Sequence, residues 1–596
     1  MSQAIPRDEF VHRLDNLNQQ TEVCDVSPTT SQRLGPFSVF CLIINRTIAA
    51  GIFANPVTVL ESAGSPGLAV ILWIVAGLTV YAIMVCWLEL GMSVPFYDVR
   101  NGTAWTRQSA PRSGGDKNYL EYIFKKPRLL ATCVFGITFL FISNLAGNAI
   151  QFGIYVESAR HRPGIDPPID PTAGGHKARV LGWAVGLMST CCLINISTRR
   201  YAIGLNNAFA VLKIIFVLFI IFAGFGYSSS KGNSCQNLDL AVRGPDRGFG
   251  DIMFALVNAL YPYGGFEQPF YVLAEVRQPK RNFPKAANWA LLALVVMYPL
   301  ANVSYFCIVP YEEGSPLPGN MALDFFRRIS HPDFAPKSQT MISIILAFFI
   351  FGNVLAQTFT ASRVKQEVAK EGILPWSLLF SEGSDTLLSR LFPKRGVPTS
   401  VDHLDDHREQ APMAATFLHW AVAVLLIVVV GARLDDPSDA YRFLVYLKSF
   451  TMLGVLGLLT VGGLLYLKID SWVSSGGGRG WGRKKQWSPW LDPLPSIVAT
   501  GVLAVLLVGL CVKPTLEGKG SLPYWVYPLA GWTAPLLGVL WWFGLRFVEW
   551  RGMWKLEVKR TPLLEVEMDE LVQVAEIIER RRVYAGNIAR RRRFGR

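Results

Sequence analysis

Two short segments of the sequence place Gly, Pro and polar residues inside long apolar stretches. Residues 45–53 read Asn-Arg-Thr-Ile-Ala-Ala-Gly-Ile-Phe, and residues 261–266 read Tyr-Pro-Tyr-Gly-Gly-Phe. Where a helix is interrupted, the free N–H groups that begin its second part attract a carboxylate, and the free carbonyls that end its first part attract an ammonium group. Two interruptions side by side would therefore suit a small zwitterion.

The alternative is that the small residues in these segments only allow two helices to pack closely. Either segment alone is more typical of such packing. Their matching positions, in the first and the sixth apolar stretch, instead favour a pair of broken helices. Such a pair indicates an inverted repeat of five plus five helices, with a binding site near the middle of the membrane.

The elements that would position these segments are apolar helices. Of the 596 residues, 51% are hydrophobic and only 17% are charged, a composition too apolar for soluble domains. We predict an all-α polytopic membrane protein with about twelve transmembrane helices in residues 36–550, between an N-terminal tail (1–35) and a basic C-terminal tail (551–596). The twelve apolar stretches, each long enough to span a bilayer, are residues 37–60, 68–88, 129–156, 180–196, 203–225, 252–273, 289–309, 341–359, 414–430, 444–467, 497–512 and 527–547.

The distribution of Lys and Arg predicts the orientation. The termini and the loops on their side carry 41 of the 58 basic residues, the opposite loops carry 14, and Arg46, Lys213 and Lys448 lie within apolar stretches. Because loops rich in Lys and Arg stay in the cytoplasm, both termini are predicted there. The net charge of +14 then reflects topology and contact with lipid rather than nucleic-acid binding.

Enzyme chemistry finds no support in the sequence. The apolar stretches contain no HExxH or GxSxG motif, and none of the seven His forms a pair at ligand spacing within them. The nine Cys show neither a disulfide framework nor metal-ligand spacing. We therefore predict no enzymatic activity, no cofactor and no metal.

Several longer motifs carry a family resemblance, which covers nearly all of residues 36–550. They resemble the amino acid-polyamine-organocation superfamily, within it the L-type amino acid transporters, and most nearly the fungal high-affinity methionine permeases. The motifs are Ala-Ala-Gly-Ile-Phe at 49–53, Pro-Arg-Ser-Gly-Gly-Asp-Lys-Asn-Tyr at 111–119, Gly-Asn-Ala-Ile-Gln-Phe at 147–152, Gly-Leu-Asn-Asn at 204–207, Tyr-Gly-Gly-Phe-Glu at 263–267, Glu-Val-Arg-Gln-Pro at 275–279, Ala-Ser-Arg at 361–363 and Gly-Ile-Leu-Pro at 372–375.

The resemblance implies the leucine-transporter fold, with the substrate held by the broken first and sixth spans. Tyr261 stands where the family keeps an aromatic gate over the substrate, although a Tyr at this place is also compatible with a core or interfacial role. The residues whose backbone N–H groups would receive the substrate carboxylate are Thr47, Ile48, Ala50 and Gly51. The residues whose carbonyls would receive its ammonium group are Tyr261, Pro262 and Gly264.

Polar residues of the third and eighth spans have two possible roles. They either line the pocket for the substrate side chain or only form hydrogen bonds between helices. These residues are Asn148, Gln151, Asn353 and Gln357.

Lys213 lies midway along the fifth span, where an ionised side chain is costly. Relatives that do not depend on sodium resemble this chain in placing a Lys where sodium-coupled members bind the ion. Lys213 is therefore either a proton-coupling or gating residue or a fixed structural charge paired with helix-end carbonyls. Arg46 and Glu267 are the other charges within the spans, and Glu267 is a possible buried partner of Arg46.

The sequence departs from the family pattern in three places. The first break reads Ala-Ala-Gly at 49–51, where the family usually has Gly-Ser-Gly or Gly-Thr-Gly, so one flexible residue and one hydroxyl are lost. Residues 95–110 look inserted, either as a loop or as an intron retained in the gene model. The loop at 158–178 lacks the Cys by which animal relatives bind a glycoprotein subunit, so no disulfide-linked heavy chain is expected.

The C-terminal tail combines helical spacing of apolar residues with Arg clusters. It is predicted to lie as an amphipathic segment on anionic cytoplasmic lipid, or alternatively to be a solvated tail. The apolar positions are Leu564, Met568, Leu571, Ala575 and Ile578.

These observations together predict a secondary active permease for L-amino acids that works by alternating access. Neutral substrates, possibly methionine, and uptake coupled to protons are the favoured form, in the plasma membrane. The alternatives are an amino acid sensor built like a transporter, suggested by the Ala residues of the first break, and an exchanger or permease for other amino acids. Substrate, coupling ion, oligomeric state and the membrane of residence are not given by the sequence.

Overall fold

The structure is a computed structural model. It describes residues 7–18, 20–28, 32–101, 104–161, 170–230, 247–310, 320–391, 409–473, 480–513, 522–551, 555–567 and 570–583.

Helices make up most of these residues. In chain order the elements are α1 (Arg7–Asp15), β1 (Glu22–Val26), α2 (Pro36–Thr47), α3 (Ala50–Ala63), α4 (Pro66–Ser93), β2 (Phe96–Asn101), β3 (Ala104–Ser109), α5 (Asp116–Ile123), α6 (Leu130–Ile142), α7 (Ala146–Arg160), α8 (Gly174–Ser197), α9 (Arg199–Ser230), α10 (Phe249–Leu260), a 3-10 turn (Tyr261–Tyr263), α11 (Gln268–Tyr271), a 3-10 turn (Leu273–Glu275), α12 (Pro279–Ile308), α13 (Met321–Ile329), a 3-10 turn (Pro332–Phe334), α14 (Ala335–Lys370), α15 (Ser377–Ser381), β4 (Ser384–Asp385), α16 (Leu387–Leu391), β5 (Gln410–Ala411), α17 (Met413–Arg433), α18 (Pro437–Lys448), a π-helix (Ser449–Leu456), α19 (Gly457–Val473), α20 (Trp481–Lys484), α21 (Leu494–Gly509), α22 (Val526–Trp550), β6 (Lys555–Glu567) and β7 (Glu570–Val583).

The predicted polytopic α-helical architecture is confirmed. Within the described residues, nine helical segments are long and apolar enough to cross a membrane, and the bent pair α2 and α3 makes a tenth. Large apolar side chains such as Phe219 and Phe222 of α9 are exposed on the outside of the bundle, as lipid-facing residues must be. The predicted spans 252–273 and 497–512 are formed by shorter helices. The count of twelve spans and the inverted repeat therefore stay predictions.

Both predicted interruptions are present. α2 ends at Thr47, Ile48 and Ala49 have extended backbones, and α3 starts at an angle of 44° to α2. In the sixth span, α10 gives way to a 3-10 turn, and Gly265 has a φ of 141°, which a residue with a side chain rarely adopts. The chain therefore leaves the helical path at both Gly-containing segments.

Two further irregularities were not predicted. α6 and α7 are separated at residues 143–145, where Leu145 has a positive φ of 56°, and the tenth span contains the π-helix between α18 and α19. Residues 143–145 carry neither Gly nor Pro, and the π-helix carries the single Gly454 and no Pro. π-helical turns are frequent at functional sites because they shift the side chains that follow them.

The two ends of the chain meet in one antiparallel sheet of order β1-β7-β6. Phe10 of α1 is fully buried against Leu563, Ala575 and Ile577 of this sheet. The amphipathic helical segment predicted in the C-terminal tail is thus wrong for residues 555–567 and 570–583, which are strands. Met568, one of its predicted apolar positions, lies outside the described residues. The segments are rich in Val, Ile and Leu, and pairing with β1 buries them on a sheet instead of on lipid.

Within residues 95–110, which look inserted in the sequence, β2 and β3 pair as an antiparallel hairpin. Tyr97 is buried next to Ala110 and Leu571, and the Ser109 hydroxyl lies 2.6 Å from the Met92 carbonyl oxygen and 2.7 Å from Gln486 Oε1, two acceptors for its one proton. The hairpin thereby connects the end of α4 with the C-terminal strands, as part of the folded structure.

One cysteine forms a disulfide, although the cysteine spacing indicated no disulfide framework. Cys307, in the last turn of α12, is disulfide-bonded, whereas the other seven described cysteines are free. Cys235, the one cysteine predicted in an external loop, lies outside the described residues. The described residues contain no group of His, Cys, Asp and Glu that could hold a metal ion.

Candidate substrate site

The two breaks touch each other. A Cβ atom added to Gly51 would lie 2.9 Å from Pro262 Cγ, and one added to Gly265 would lie 2.6 Å from Thr47 Oγ1. Each glycine therefore allows one broken span to lie against the other. Segments about 210 residues apart in the sequence form one place in the fold.

The first break presents unused backbone donors. Ala50, Gly51 and Ile52 form the first turn of α3, so their N–H groups have no carbonyl one turn earlier in the same helix. The Thr47 hydroxyl is buried and has no hydrogen-bond partner among the described residues. These donors lie where a carboxylate would gain from the N-terminal end of the helix.

The carbonyls of the second break are partly occupied. The Tyr261 carbonyl accepts a hydrogen bond from the Gly264 N–H (3.0 Å), and the Pro262 carbonyl accepts one from the Tyr298 hydroxyl (3.3 Å). Because a carbonyl oxygen has two lone pairs, each can still accept a second hydrogen bond.

A chain of polar side chains connects the second break to the first. The Tyr261 hydroxyl donates to Asn148 Oδ1 (2.6 Å), and Asn148 Nδ2 donates to Asn353 Oδ1 (3.0 Å). Asn353 Nδ2 in turn donates to the Arg46 carbonyl in the last turn of α2. Asn148 also lines a small cavity with Tyr261, so its hydrogen bonds between helices are compatible with a position on a pocket wall. Gln151 is not part of this series of hydrogen bonds and interacts instead with the Tyr155 hydroxyl.

Arg46 and Glu267 do not form an ion pair in the described structure. Arg46 Nε donates to Gln357 Oε1 (3.0 Å), and Gln357 Nε2 donates to the Ser143 hydroxyl (3.2 Å). Glu267 accepts hydrogen bonds from the Gly265 N–H (2.6 Å) and from Gln268 Nε2 (3.1 Å). The expectation of a buried Arg46 and Glu267 pair is therefore wrong. Glu267 instead fixes the backbone of the second break.

Lys213 is fully buried beside the first break. Its ammonium group donates to the Asn45 carbonyl (2.6 Å) and lies 5.9 Å from the centre of the Phe349 ring. The Asn45 amide donates to Asn206 Oδ1 (2.9 Å) and to the Gly352 carbonyl (2.8 Å). Lys213 thus holds the end of α2 in place, an arrangement compatible with both the structural and the gating role.

A buried ion triad, which we call the end latch, closes the bundle on the side of the sheet. Glu275 lies 2.8 Å from Arg199 Nη2 and 2.7 Å from Arg363 Nε. The Leu34 N–H donates to the Glu275 carbonyl (2.8 Å), so the latch joins the segments next to both broken spans. Burial acts to raise the pKa of the Glu275 carboxyl, but the guanidinium groups of Arg363 and Arg199 outweigh it and hold the pKa below its usual value.

Comparison with known proteins shows the family. Residues 34–534 match the family model described as amino acid permease. The chain belongs to the amino acid permeases. The match covers most of the chain and both broken spans, which confirms the resemblance seen in the motifs. Membership of this family indicates that the chain is a membrane transport protein for amino acids.

Several proteins similar to this permease are named as amino acid permeases or transporters. It is 26% identical over 533 residues to the high-affinity methionine permease of Saccharomyces cerevisiae, an alignment that covers 87% of this chain and 79% of the relative. It is 27% identical over 361 residues to the low-affinity methionine permease of the same yeast, covering 59% and 60%. The human large neutral amino acids transporter small subunit 2 is 27% identical over 354 residues, covering 58% and 59%.

Two features of the permease were missed from the sequence. Glu275 of the end latch was noted only as part of a motif, because its partners come from α9 and α14, far away in the sequence. Lys448, which lines the cavity next to Tyr261, was only counted among the basic residues. The signal for Lys448 was available, since a Lys inside an apolar stretch is the feature that singled out Lys213.

Proposed function

We propose that this permease moves L-amino acids with neutral side chains, methionine among them, across the membrane by alternating access. The observation that carries the proposal is the contact between the two breaks at Gly51 and Pro262, in a chain that belongs to the amino acid permeases. The amino acid carboxylate binds the N–H groups at the start of α3 and the Thr47 hydroxyl. Its ammonium group binds carbonyls of the second break.

Further residues complete the proposed site. The Ala50 and Gly51 N–H groups begin α3 and are available to the carboxylate, whereas Thr47 and Ile48 end α2, where the Ile48 N–H already donates to the Ile44 carbonyl (2.9 Å). The carbonyls for the ammonium group are those of Tyr261, Pro262 and Gly264. Tyr261 acts as the gate, because its hydroxyl is held by Asn148 and a rotation of the ring would break only this one hydrogen bond. Asn148, Gln151, Asn353 and Gln357 form and support the wall on the side of α7 and α14.

The end latch supports alternating access. With Arg199, Glu275 and Arg363 paired, the path from the breaks to the sheet end is closed, and separating these pairs is the step that opens it. We place the sheet end in the cytoplasm. The disulfide of Cys307 supports this orientation, because disulfides persist in oxidising compartments and α12 carries Cys307 away from the sheet.

The remaining features of the proposal come from the sequence. Lys213 couples uptake to protons, the permease resides in the plasma membrane, and it needs no disulfide-linked heavy chain. The bundle has twelve spans in an inverted repeat of five plus five.

The test is uptake into vesicles that contain the purified permease. Labelled L-methionine is supplied outside, and the other amino acids are added one by one as competitors. We expect saturable uptake with competition by neutral L-amino acids. Binding without uptake would favour the amino acid sensor, and uptake only into vesicles preloaded with amino acids would favour the exchanger.

A further inference from the structure

Lys448 lies on the wall of the small cavity that Tyr261 of the second break also lines. It ends α18, directly before the π-helix of the tenth span. The cavity is otherwise lined by the polar groups of Asn148 and Tyr261 and by apolar side chains such as Leu444 and Val445. Lys448 is partly exposed to this cavity, so its ammonium group is within reach of a molecule bound there.

Lys448 has no partner in the described part of the chain, neither a hydrogen bond nor an ion pair. Two other buried Lys residues of the helices do have partners: Lys213 donates a hydrogen bond to the Asn45 carbonyl, and Lys468 lies 2.7 Å from Glu89. An ammonium group inside a membrane protein is costly unless it is paired or serves a substrate pathway. Lys448 fits the second case.

The charges around Lys448 do not cancel. The charged groups whose fields reach it are Arg46, of the same sign, and Glu267. Glu267 is bound to the Gly265 N–H and to Gln268 and forms no ion pair with either cation. Lys213 adds a further basic group on the other side of the first break. The surroundings of the breaks are therefore rich in positive charge.

We propose that Lys448 sets the charge class of the substrate: the cavity takes neutral side chains, and the ammonium group of Lys448 excludes cationic ones. This inference rests on the proposed function, since it assigns the cavity to the side chain of the transported amino acid. The apolar residues around Lys448 provide the favourable contact for a neutral side chain. A second ammonium group about 5 Å from Lys448 would be repelled strongly enough to weaken binding about a hundredfold.

The test compares L-lysine with L-norleucine, which has the same carbon chain without the terminal ammonium group. Each competes with labelled L-methionine for uptake into vesicles containing the full-length permease. The variants are Lys448→Met, Lys448→Glu and Lys448→Arg. Arg442→Met is the matched control, because Arg442 lies on the same helix with its side chain 57% exposed and its loss changes the net charge equally.

For the wild type we expect half-maximal inhibition by lysine at about a hundredfold higher concentration than by norleucine. Lys448→Met should reduce this ratio of inhibitory concentrations at least tenfold, chiefly because lysine inhibits at a lower concentration. Lys448→Glu should bring the ratio close to one. Lys448→Arg and Arg442→Met should keep it. If Lys448→Met does not yield a folded permease, Lys448→Glu and the wild-type ratio still test whether Lys448 excludes cationic side chains.

The failures are distinguishable. If norleucine competes but the ratio of inhibitory concentrations of lysine and norleucine is unchanged in Lys448→Met and Lys448→Glu, only the role of Lys448 is overturned. The same holds if lysine inhibits the wild type as strongly as norleucine does. Absence of uptake and of competition by every amino acid in the wild type overturns the proposed function and this inference together.

Discussion

The centre of the bundle and its sheet end are built on opposite principles. At the centre, single charged side chains form hydrogen bonds with the backbone. Lys213 donates to the Asn45 carbonyl, and Glu267 accepts from the Gly265 N–H. At the sheet end, charged side chains form ion pairs, most of them between residues that are far apart in the sequence. This second network, which we call the end network, consists of Asp25, Arg112, Lys117, Glu367, Lys370, Glu371, Arg560 and Glu576.

The difference separates a part that receives a ligand from a part that joins elements. The Thr47 hydroxyl, which has no partner among the described residues, lies where a substrate can supply the missing hydrogen bond. In the end network, α14, the segment around α5 and the C-terminal strands pair their charged side chains with one another. Transport requires the centre to exchange partners, and the end latch lies where the two regions meet.

The largest effect is expected from the centre. Gly51→Val should abolish uptake, because the added side chain begins 2.9 Å from Pro262 Cγ and 3.2 Å from Pro262 Cα, and it would separate the two breaks. Gly264→Val should do the same, since its Cβ would lie 3.1 Å from the Tyr261 carbonyl oxygen. Uptake per permease molecule at the cell surface is the measurement.

Gly186→Val is the matched control, because Gly186 of α8 has no atom within 4 Å of an added Cβ. It should transport as the wild type does. Ala50→Ser should preserve or raise substrate affinity, because it restores a hydroxyl to the first break. Normal transport in both Gly51→Val and Gly264→Val would remove the substrate site from the two breaks.

The next effect concerns energy coupling through Lys213. A group that alternates between charged and neutral forms can link substrate movement to a proton. One extra positive charge imported with a zwitterion gains about 2.3 kcal/mol per 100 mV, enough for roughly fiftyfold accumulation. Lys213→Ala should lose concentrative uptake and keep exchange of labelled for unlabelled substrate, since exchange needs no net proton flow.

Wild-type uptake should accordingly rise as external pH falls and collapse when a protonophore is added. Uptake in vesicles with an imposed pH gradient measures both. If wild-type uptake is indifferent to pH and protonophore, Lys213 is a structural charge that holds the end of α2.

A smaller effect is expected at the end latch. Glu275→Gln leaves two buried guanidinium groups without their carboxylate, and losing one partner of a buried ion pair costs about 3–5 kcal/mol. The midpoint of thermal denaturation of the purified permease should fall clearly. The control is Glu565→Gln, whose pair with Arg7 is exposed (42% and 33%) and should contribute about 1 kcal/mol or less. Equal shifts of the denaturation midpoint in Glu275→Gln and Glu565→Gln would contradict the greater contribution of the buried ion pairs.

The sequence predicted the centre better than the sheet end for a physical reason. The breaks at 45–53 and 261–266 carry local signals, because Gly and Pro interrupt helices wherever they stand. Their contact followed only from the resemblance. The C-terminal strands have no comparable local signal, since Leu571, Ala575 and Ile578 fit a helical spacing and become strands by pairing with β1 from the other end of the chain.

The irregularities in the third and tenth spans show the same limit. Residues 143–145 contain neither Gly nor Pro, and the π-helix after Lys448 contains the single Gly454 without the Pro or paired Gly of the second break. Packing against neighbouring helices decides such places, and packing partners are not visible in one sequence. For the same reason the partners of Arg46 were predicted wrongly, although the residue itself was recognised.

The smallest effect is the pH dependence of the end latch, and it distinguishes the latch from Lys213. Because the pKa of the Glu275 carboxyl lies below its usual value in the folded permease, the ion pairs stabilise the fold at every pH above the range in which an unfolded carboxyl titrates. This stabilisation is lost only as pH falls through the lowered pKa. The difference in denaturation midpoint between the wild type and Glu275→Gln should thus stay constant from pH 8 down to about 5.5 and shrink only below about 4. A difference that halves between pH 8 and 6 would show that Glu275 takes up a proton in the physiological range. The end latch would then be a second site at which protons act on transport.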